Sequence, residues 1–264
     1  MAGIPKPSAF VTIQEGCDKF CTFCVVPYTR GKEVSRSQND ILSEIKESAK
    51  KGVKEVILLG QNVNSYNFEG ISFSSLIYSL AEIDEIKRIR FMTSHPRDMT
   101  DELINAFGVI PKLMPFLHLP VQSGSNRILK SMNRGHVVEE YVEIINKLRL
   151  KRKDICFSSD FIVGYPGETD KDFQETIDLC KKVQFAQAYS FNYSSRPGTP
   201  ASRKEELDEN LKKTRLHVLQ DLLNKQQTNF LNEQKNRIHK VLFEKTGRGI
   251  DEYVGRTEQF SPVT

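Results

Sequence analysis

Short apolar runs alternate along residues 9–193 with longer stretches whose apolar positions recur at helical spacing. The apolar runs predict strands at residues 10–13, 55–59, 89–93, 116–119, 155–163 and 188–193. The stretches between them predict helices at residues 37–51, 72–83, 101–107, 126–132, 138–150 and 170–183. Strands that alternate with helices form a parallel sheet through right-handed crossovers. The pattern therefore predicts an α/β fold, either an open barrel or a doubly wound sheet, with its chemistry at the carboxyl ends of the strands.

The pattern changes at both ends of this core. Residues 201–236 are polar with a leucine stripe and predict a helical extension. Residues 237–264 predict two strands around a glycine turn, which is typical of the start of a small β-domain. We therefore expect a linker at 1–8, a core at 9–200, a helical extension at 201–236 and an incomplete β-domain at 237–264.

Composition and charge restrict the function classes only loosely. The chain has 264 residues, 38% of them hydrophobic and 27% charged, as in ordinary globular proteins. No run of about 18 apolar residues and no signal peptide is evident in the sequence, so we expect a cytoplasmic protein without a membrane partner. The net charge of +4 permits a polyanionic partner without requiring one.

Three of the five cysteines are grouped directly after the first predicted strand. Cys17, Cys21 and Cys24 form a CxxxCxxC pattern, whereas Cys156 and Cys180 stand apart in a predicted strand and helix, where we expect small buried residues. Thiolates suit iron–sulfur clusters or zinc. Three cysteines on a four-iron cluster leave one iron open, whereas structural zinc needs a fourth ligand and no histidine lies near. A zinc site, or three unrelated buried cysteines, remain the alternatives.

The residues around these cysteines carry a resemblance. Residues 14–31 read QEGCDKFCTFCVVPYTRG, and further blocks include LGQNVNSY at 59–66, HLPVQSGS at 118–125, DFIVGYPGET at 160–169 and FNYSSRPGT at 191–199. Together they resemble the radical S-adenosylmethionine (SAM) superfamily. Within it they are similar to the methylthiotransferase family, in its tRNA-2-methylthio-N6-dimethylallyladenosine synthase (MiaB-type) branch. The resemblance covers residues 9–200 and implies a partial (β/α)6 barrel.

The resemblance implies that Cys17, Cys21 and Cys24 ligate a [4Fe–4S] cluster. Its open iron would bind the amino and carboxylate groups of SAM, whose reductive cleavage gives methionine and a 5′-deoxyadenosyl radical. The implied SAM-binding residues are Phe23, Gln61, Asn62, Ser94, Gln122, Ser123, Ile162 and Gly164. Polar turns and helix caps are the structural alternatives for several of them. The sequence identifies no catalytic residue.

The implied reaction is methylthiolation at C2 of N6-isopentenyladenosine at position 37 of tRNA, with two SAM molecules. The implied partners are the tRNA anticodon loop and an electron donor such as flavodoxin or ferredoxin. One alternative is a methylthiotransferase acting on threonylcarbamoyladenosine in tRNA or on ribosomal protein S12. Another, from a different class, is a non-catalytic RNA-binding module stabilised by a metal or a cluster.

The family also implies parts that this sequence does not contain. The resemblance implies a protein of three domains, in which an N-terminal domain holds a second [4Fe–4S] cluster through three further cysteines. Residues 237–264 resemble only the start of the RNA-binding TRAM domain. We therefore expect this chain to carry the radical-generating core, with a separate chain bearing the N-terminal domain as a further candidate partner.

Overall fold

The computed structural model describes residues 6–249 and 251–264. The first five residues of the expected linker lie outside the described residues. The first strand begins at Ser8, which is two residues earlier than the apolar pattern indicates. Within the described residues, no helix combines the length and apolar character needed to cross a membrane.

Six parallel strands form the core of the described chain. They are β1 (Ser8–Thr12), β2 (Glu55–Leu59), β3 (Arg88–Phe91), β4 (Phe116–His118), β5 (Cys156–Val163) and β6 (Gln187–Asn192). β1, β2 and β3 pair in that order, as do β4, β5 and β6, and all pairs are parallel. A parallel bridge between Ile89 and Leu113 links the two halves. In the described residues β1 and β6 do not pair, so the sheet is open, as expected for a partial barrel.

Helices follow the strands, as the alternation predicts. They are α1 (Val26–Arg30), α2 (Gln38–Lys50), α3 (Phe73–Ala81), α4 (Asp101–Val109), α5 (Asn126–Ser131), α6 (Val138–Lys151), α7 (Asp170–Val183) and α8 (Glu209–Gln234). Caps define several starts: the hydroxyl of Thr169 accepts a hydrogen bond from the Asp172 amide at α7, and Thr100 does the same for Leu103 at α4. Short 3-10 turns occupy Val63–Ser65, Pro96–Asp98 and Pro200–Arg203.

The two faces of the sheet differ because side chains alternate along each strand. In β3, Ile89 and Phe91 belong to the main hydrophobic core, which the helices cover. Arg88 and Arg90 point to the opposite face, here called the inner face, which also carries Phe116 and Asp160. Burial of the apolar side against the helices stabilises the sheet and leaves the inner face for polar contacts.

The C-terminal segment packs onto this inner face. Strands β7 (Val241–Thr246), β8 (Tyr253–Thr257) and β9 (Pro262–Val263) form an antiparallel sheet. Phe260 packs against Phe116 with ring centroids 5.4 Å apart. The Arg90 guanidinium donates hydrogen bonds to the carbonyl oxygens of Thr257 and Glu258, both at 2.9 Å. The described part of this segment therefore forms a β-sheet that is anchored to the core.

Candidate cluster and cofactor site

The cysteine loop is closed at its base by a short pair of strands. Gln14–Glu15 pairs antiparallel with Val34–Ser35, and the Cys17 amide donates to the Gly31 carbonyl at 3.2 Å. Gly16 has φ +72°, and a Cβ there would lie 2.0 Å from the Lys32 carbonyl oxygen. Only glycine fits this position, so the residue before the first cysteine sets the path of the loop.

The tip of the loop is held by the carboxyl end of α5. The Thr22 amide donates to the Met132 carbonyl at 3.0 Å, and its hydroxyl donates to the Ser131 carbonyl at 2.9 Å. The Asn133 amide group donates to the Phe20 carbonyl at 3.0 Å, which supports a left-handed backbone at Phe20 (φ +47°). A distant element thus fixes the loop from both sides of Cys21.

The three thiols are free, and Cys21 is buried while Cys17 and Cys24 are half-buried. Burial raises the pKa of the Cys17 and Cys24 thiols, so a bound cation is needed to favour their thiolates. The buried guanidinium of Arg134 lies beside this group, with Nη1 3.5 Å from the Cys21 sulfur. Among the described residues, no three His, Cys, Asp or Glu side chains converge as ligands of one metal ion. Three soft donors on one fixed loop fit a [4Fe–4S] cluster, in which each thiolate bonds a different iron.

Gln14 couples the cysteine loop to the loop after β2. Its side chain is completely buried. Its Oε1 accepts hydrogen bonds from the amides of Gln61 (2.9 Å) and Asn62 (3.2 Å), while its Nε2 donates to the Gly16 carbonyl at 2.8 Å. A Cβ at Gly60 would lie 2.6 Å from the same Oε1. One side chain therefore sets the distance between the two expected binding loops.

Two of the expected SAM contacts carry unsatisfied buried oxygens. Asn62 donates through Nδ2 to Asp98 Oδ2 at 2.6 Å, and Lys19 pairs with the same carboxylate at 2.7 Å. Asn62 Oδ1 and Ser94 Oγ are buried and have no hydrogen-bond partner within the described part of the chain. Buried acceptors without partners are costly, so their presence points to a ligand that donates hydrogen bonds. An amino group is a donor of this kind.

A second group of expected contacts lines a cavity of ≈340 Å³ at the carboxyl ends of β5 and β6. Phe23, Gln122 and Ile162 are among its lining residues, and Phe23 directly precedes the last cysteine of the motif. The other lining residues are Asp160, Phe191, Asn192, Tyr193, Ser194 and Arg196. This size is within the range of small-molecule sites.

Ser123 and Gly164 have structural contacts instead and do not line this cavity. The Ser123 hydroxyl is buried and accepts a hydrogen bond from the Ser125 amide at 3.2 Å. Gly164 has φ +69°, and a Cβ there would lie 2.4 Å from Lys212 Cγ. Contact of these two residues with SAM stays a prediction.

Sequence reasoning did not predict the contacts of several residues that organise the site. Gln14, Asp98 and Arg134 act through hydrogen bonds to segments far away in the chain, which spacing does not reveal. The available signal for Gln14 was its position directly after the first apolar run and before the cysteine motif. Asp160 and His118 stand in the resembling blocks, but only the fold shows that they are neighbours.

Comparison with known proteins agrees with this geometry. Residues 11–180 match the model of the radical SAM superfamily. The chain is 54% identical over 256 residues to the tRNA-2-methylthio-N(6)-dimethylallyladenosine synthase of Rickettsia akari, which covers 95% of this chain and 58% of that protein. The synthase of Bartonella tribocorum is also 54% identical, over 97% of this chain and 57% of its own length. The chain thus spans somewhat more than half the length of these relatives.

Solved structures support the fold. Coproporphyrinogen III oxidase from Escherichia coli, a radical SAM enzyme, superposes with a TM-score of 0.62 at 19% identity, over 85% of this chain and 54% of that chain. The radical SAM methyltransferase TsrM from Kitasatospora setae superposes with a TM-score of 0.61 at 14% identity, over 73% of this chain and 38% of that chain. The expected resemblance is confirmed by the family match and by the high identity to the synthases. The chain belongs to the radical SAM superfamily.

Proposed function

We propose that this chain is the radical-generating part of an enzyme that methylthiolates C2 of N6-dimethylallyladenosine (N6-isopentenyladenosine) at position 37 of tRNA. The observation that carries the proposal is the cysteine loop, which is fixed at its base and its tip and is joined by Gln14 to the loop of Asn62, whose buried Oδ1 has no partner among the described residues. The substrate is inferred from the relatives, which are named as synthases of the methylthiolated base and share more than half of their aligned residues with this chain.

Cys17, Cys21 and Cys24 would hold the [4Fe–4S] cluster of a radical SAM enzyme. When bound, the cluster supplies the electron that cleaves SAM and an open iron that binds it. Asn62 and Ser94 would accept hydrogen bonds from the amino group of SAM, and Phe23 would form an apolar wall beside the last cysteine. Thr22 and Asn133 keep the loop in place by tying it to α5. Arg134 places positive charge next to the Cys21 sulfur, which favours thiolate ligation.

The other segments of the chain are assigned roles in RNA binding, and separate proteins are assigned roles as partners. We assign residues 9–200 to the core, 201–236 to the helical extension and 237–264 to a TRAM-like segment that contacts the anticodon loop. Basic residues of the extension and tail would attract RNA phosphates. A reductant such as flavodoxin or ferredoxin, and a separate chain carrying the N-terminal domain, are the proposed protein partners.

Nucleoside analysis of tRNA tests the proposal. In a strain without the gene, we expect 2-methylthio-N6-dimethylallyladenosine to disappear and its unmethylthiolated precursor to accumulate. The wild-type gene should restore the product, a Cys17→Ala gene should not, and a Cys156→Ala gene should serve as the matched control that does. An unchanged pool in the deletion strain contradicts the proposal. A loss confined to methylthiolated threonylcarbamoyladenosine or to modified protein S12 favours the other methylthiotransferases, and full restoration by Cys17→Ala favours the RNA-binding module.

A further inference from the structure

The inner face of the sheet carries a polar pair that the cluster chemistry leaves unused. His118 on β4 and Asp160 on β5 lie with Nε2 3.5 Å from Oδ2. The Ser158 hydroxyl lies 3.0 Å from Nδ1 of the same imidazole. The register explains the arrangement, because His118 is directly opposite Ser158 and Asp160 is two residues further along the same face.

The pair lies between an apolar floor and the cavity. Below it, Phe116, Cys156 and Phe260 form an apolar cluster that closes the inner face toward the C-terminal segment. Above it, Asp160 lines the cavity. Its side chain is 27% exposed, against 15% for that of His118. The carboxylate therefore faces the open space, and the imidazole lies next to it on the more buried side.

A hydrolase triad does not explain these residues. In such a triad the serine hydroxyl must reach the substrate. Here Ser158 is only 1% exposed, and it contacts the imidazole on the side away from Asp160. Ser158 therefore acts as a positioning residue for the ring of His118, and the reactive surface of the group is the carboxylate.

The cavity that holds the expected SAM contacts Phe23, Gln122 and Ile162 is also lined by three residues that suit a nucleotide of RNA. Phe191 offers an aromatic face, and unstacked RNA bases commonly stack on such rings. Arg196 lines the same cavity, is exposed, and can pair with a phosphate. The carboxylate of Asp160 accepts hydrogen bonds only, so it selects a base edge that donates an N–H.

We infer that Asp160, positioned by His118, accepts a hydrogen bond from the exocyclic N6–H of the target adenosine and thereby selects that base. The inference rests on the proposed function, because an N6-alkylated adenosine still carries one N6–H. The adenine of SAM offers the same donor, so the experiment separates the two sources. A base with an oxygen at this position should bind more weakly, because the oxygen cannot donate a hydrogen bond and its lone pairs would repel the carboxylate.

Two anticodon stem–loops provide the test, one with N6-dimethylallyladenosine at position 37 and one with 6-dimethylallyloxypurine, in which oxygen replaces the N–H. Their affinities are measured by fluorescence anisotropy on the anaerobically reconstituted chain with SAM present. The wild-type chain should bind the N–H base about tenfold or more tightly, as expected for a hydrogen bond to a charged acceptor. Asp160→Asn can accept or donate, so its two affinities should agree within about threefold.

Matched variants separate contact from structural damage. Asp178→Asn removes an exposed carboxylate on α7 and should discriminate as the wild type does. His118→Gln keeps a donor toward Asp160 and should retain most of the discrimination, whereas His118→Leu should lose most of it. Circular dichroism spectra and thermal midpoints of all variants should match the wild type, and SAM affinity should be unchanged in Asp160→Asn.

Undiminished discrimination in Asp160→Asn overturns the assignment without touching the proposed function. A loss of SAM affinity in the same variant would then assign the carboxylate to the cofactor. If the wild-type chain binds neither stem–loop better than a scrambled one, the proposed function fails and the assignment fails with it.

Discussion

The buried ion pair between Arg90 and Glu55 makes a quantitative prediction about how the C-terminal segment is held. Both side chains are 1% exposed, and Arg90 Nε lies 2.8 Å from Glu55 Oε2. Burial lowers the pKa of Arg90, while the charge and the hydrogen bond of Glu55 act against this shift. The guanidinium also donates to two carbonyl oxygens of the C-terminal segment. Arg90→Met leaves a buried carboxylate without its cation, which costs about 3–5 kcal/mol of unfolding free energy. It also removes both hydrogen bonds to the tail.

A double-mutant cycle in urea, followed by circular dichroism, measures this cost. Glu55→Leu alone should be strongly destabilising, whereas the double variant Glu55→Leu/Arg90→Met should be more stable than either single variant, because no unpaired charge remains. Lys50→Met is the control. Its partner Glu47 lies only 2.6 Å away, but both side chains are largely exposed, so we expect no measurable change. If Arg90→Met is no more destabilising than Lys50→Met, the reasoning about the buried pair is refuted.

Three further predictions concern the site and its surroundings. Arg134→Gln removes a positive charge beside the Cys21 sulfur, so the reduction potential of the bound cluster should fall. A potentiometric titration followed by electron paramagnetic resonance measures this potential, and an unchanged value would contradict the role of the contact. Gly164→Ala should lower the free energy of unfolding by at least about 1 kcal/mol, because φ at this position is positive and the new Cβ would meet the Lys212 side chain. An unchanged midpoint of thermal unfolding would contradict this expectation. Burial raises the pKa of Cys156 to about 12, which leaves about one thiolate in ten thousand at pH 8. Iodoacetamide should therefore label Cys156 slowly in the folded chain and rapidly in urea, and equal labelling rates would contradict its burial.

The order of strands and helices was predictable because alternating apolar runs record which face of each element is buried. The ends were less predictable, and β3 shows why. The apolar pattern indicates a start at Ile89, but the strand begins at Arg88, whose guanidinium donates to the carbonyls of Lys240 and Arg256. A charge in a strand is acceptable when a distant segment satisfies it, and local patterns contain no information about that segment.

In the site, too, local features were predictable from the sequence and contacts between distant segments were not. The cysteine loop was predictable because its three cysteines are close in sequence, whereas contact of Asn62, Ser94 and Phe23 with SAM stays a prediction from the resemblance. Cys156 and Cys180 are buried, as expected from their places in a predicted strand and helix. The link through Gln14 required the folded structure, since it joins segments 47 residues apart. The pairing of His118 with Asp160 depends on strand register, which only the sheet reveals.

Anaerobic reconstitution of this chain tests the central claim most directly. With iron and sulfide supplied, we predict about four irons and four sulfides per chain, and 5′-deoxyadenosine on addition of SAM and a reductant. The Cys17→Ala, Cys21→Ala and Cys24→Ala variants should each lose both, whereas Cys156→Ala and Cys180→Ala should keep both. A chain that binds no cluster, or one whose cluster survives removal of the three loop cysteines, would contradict the account.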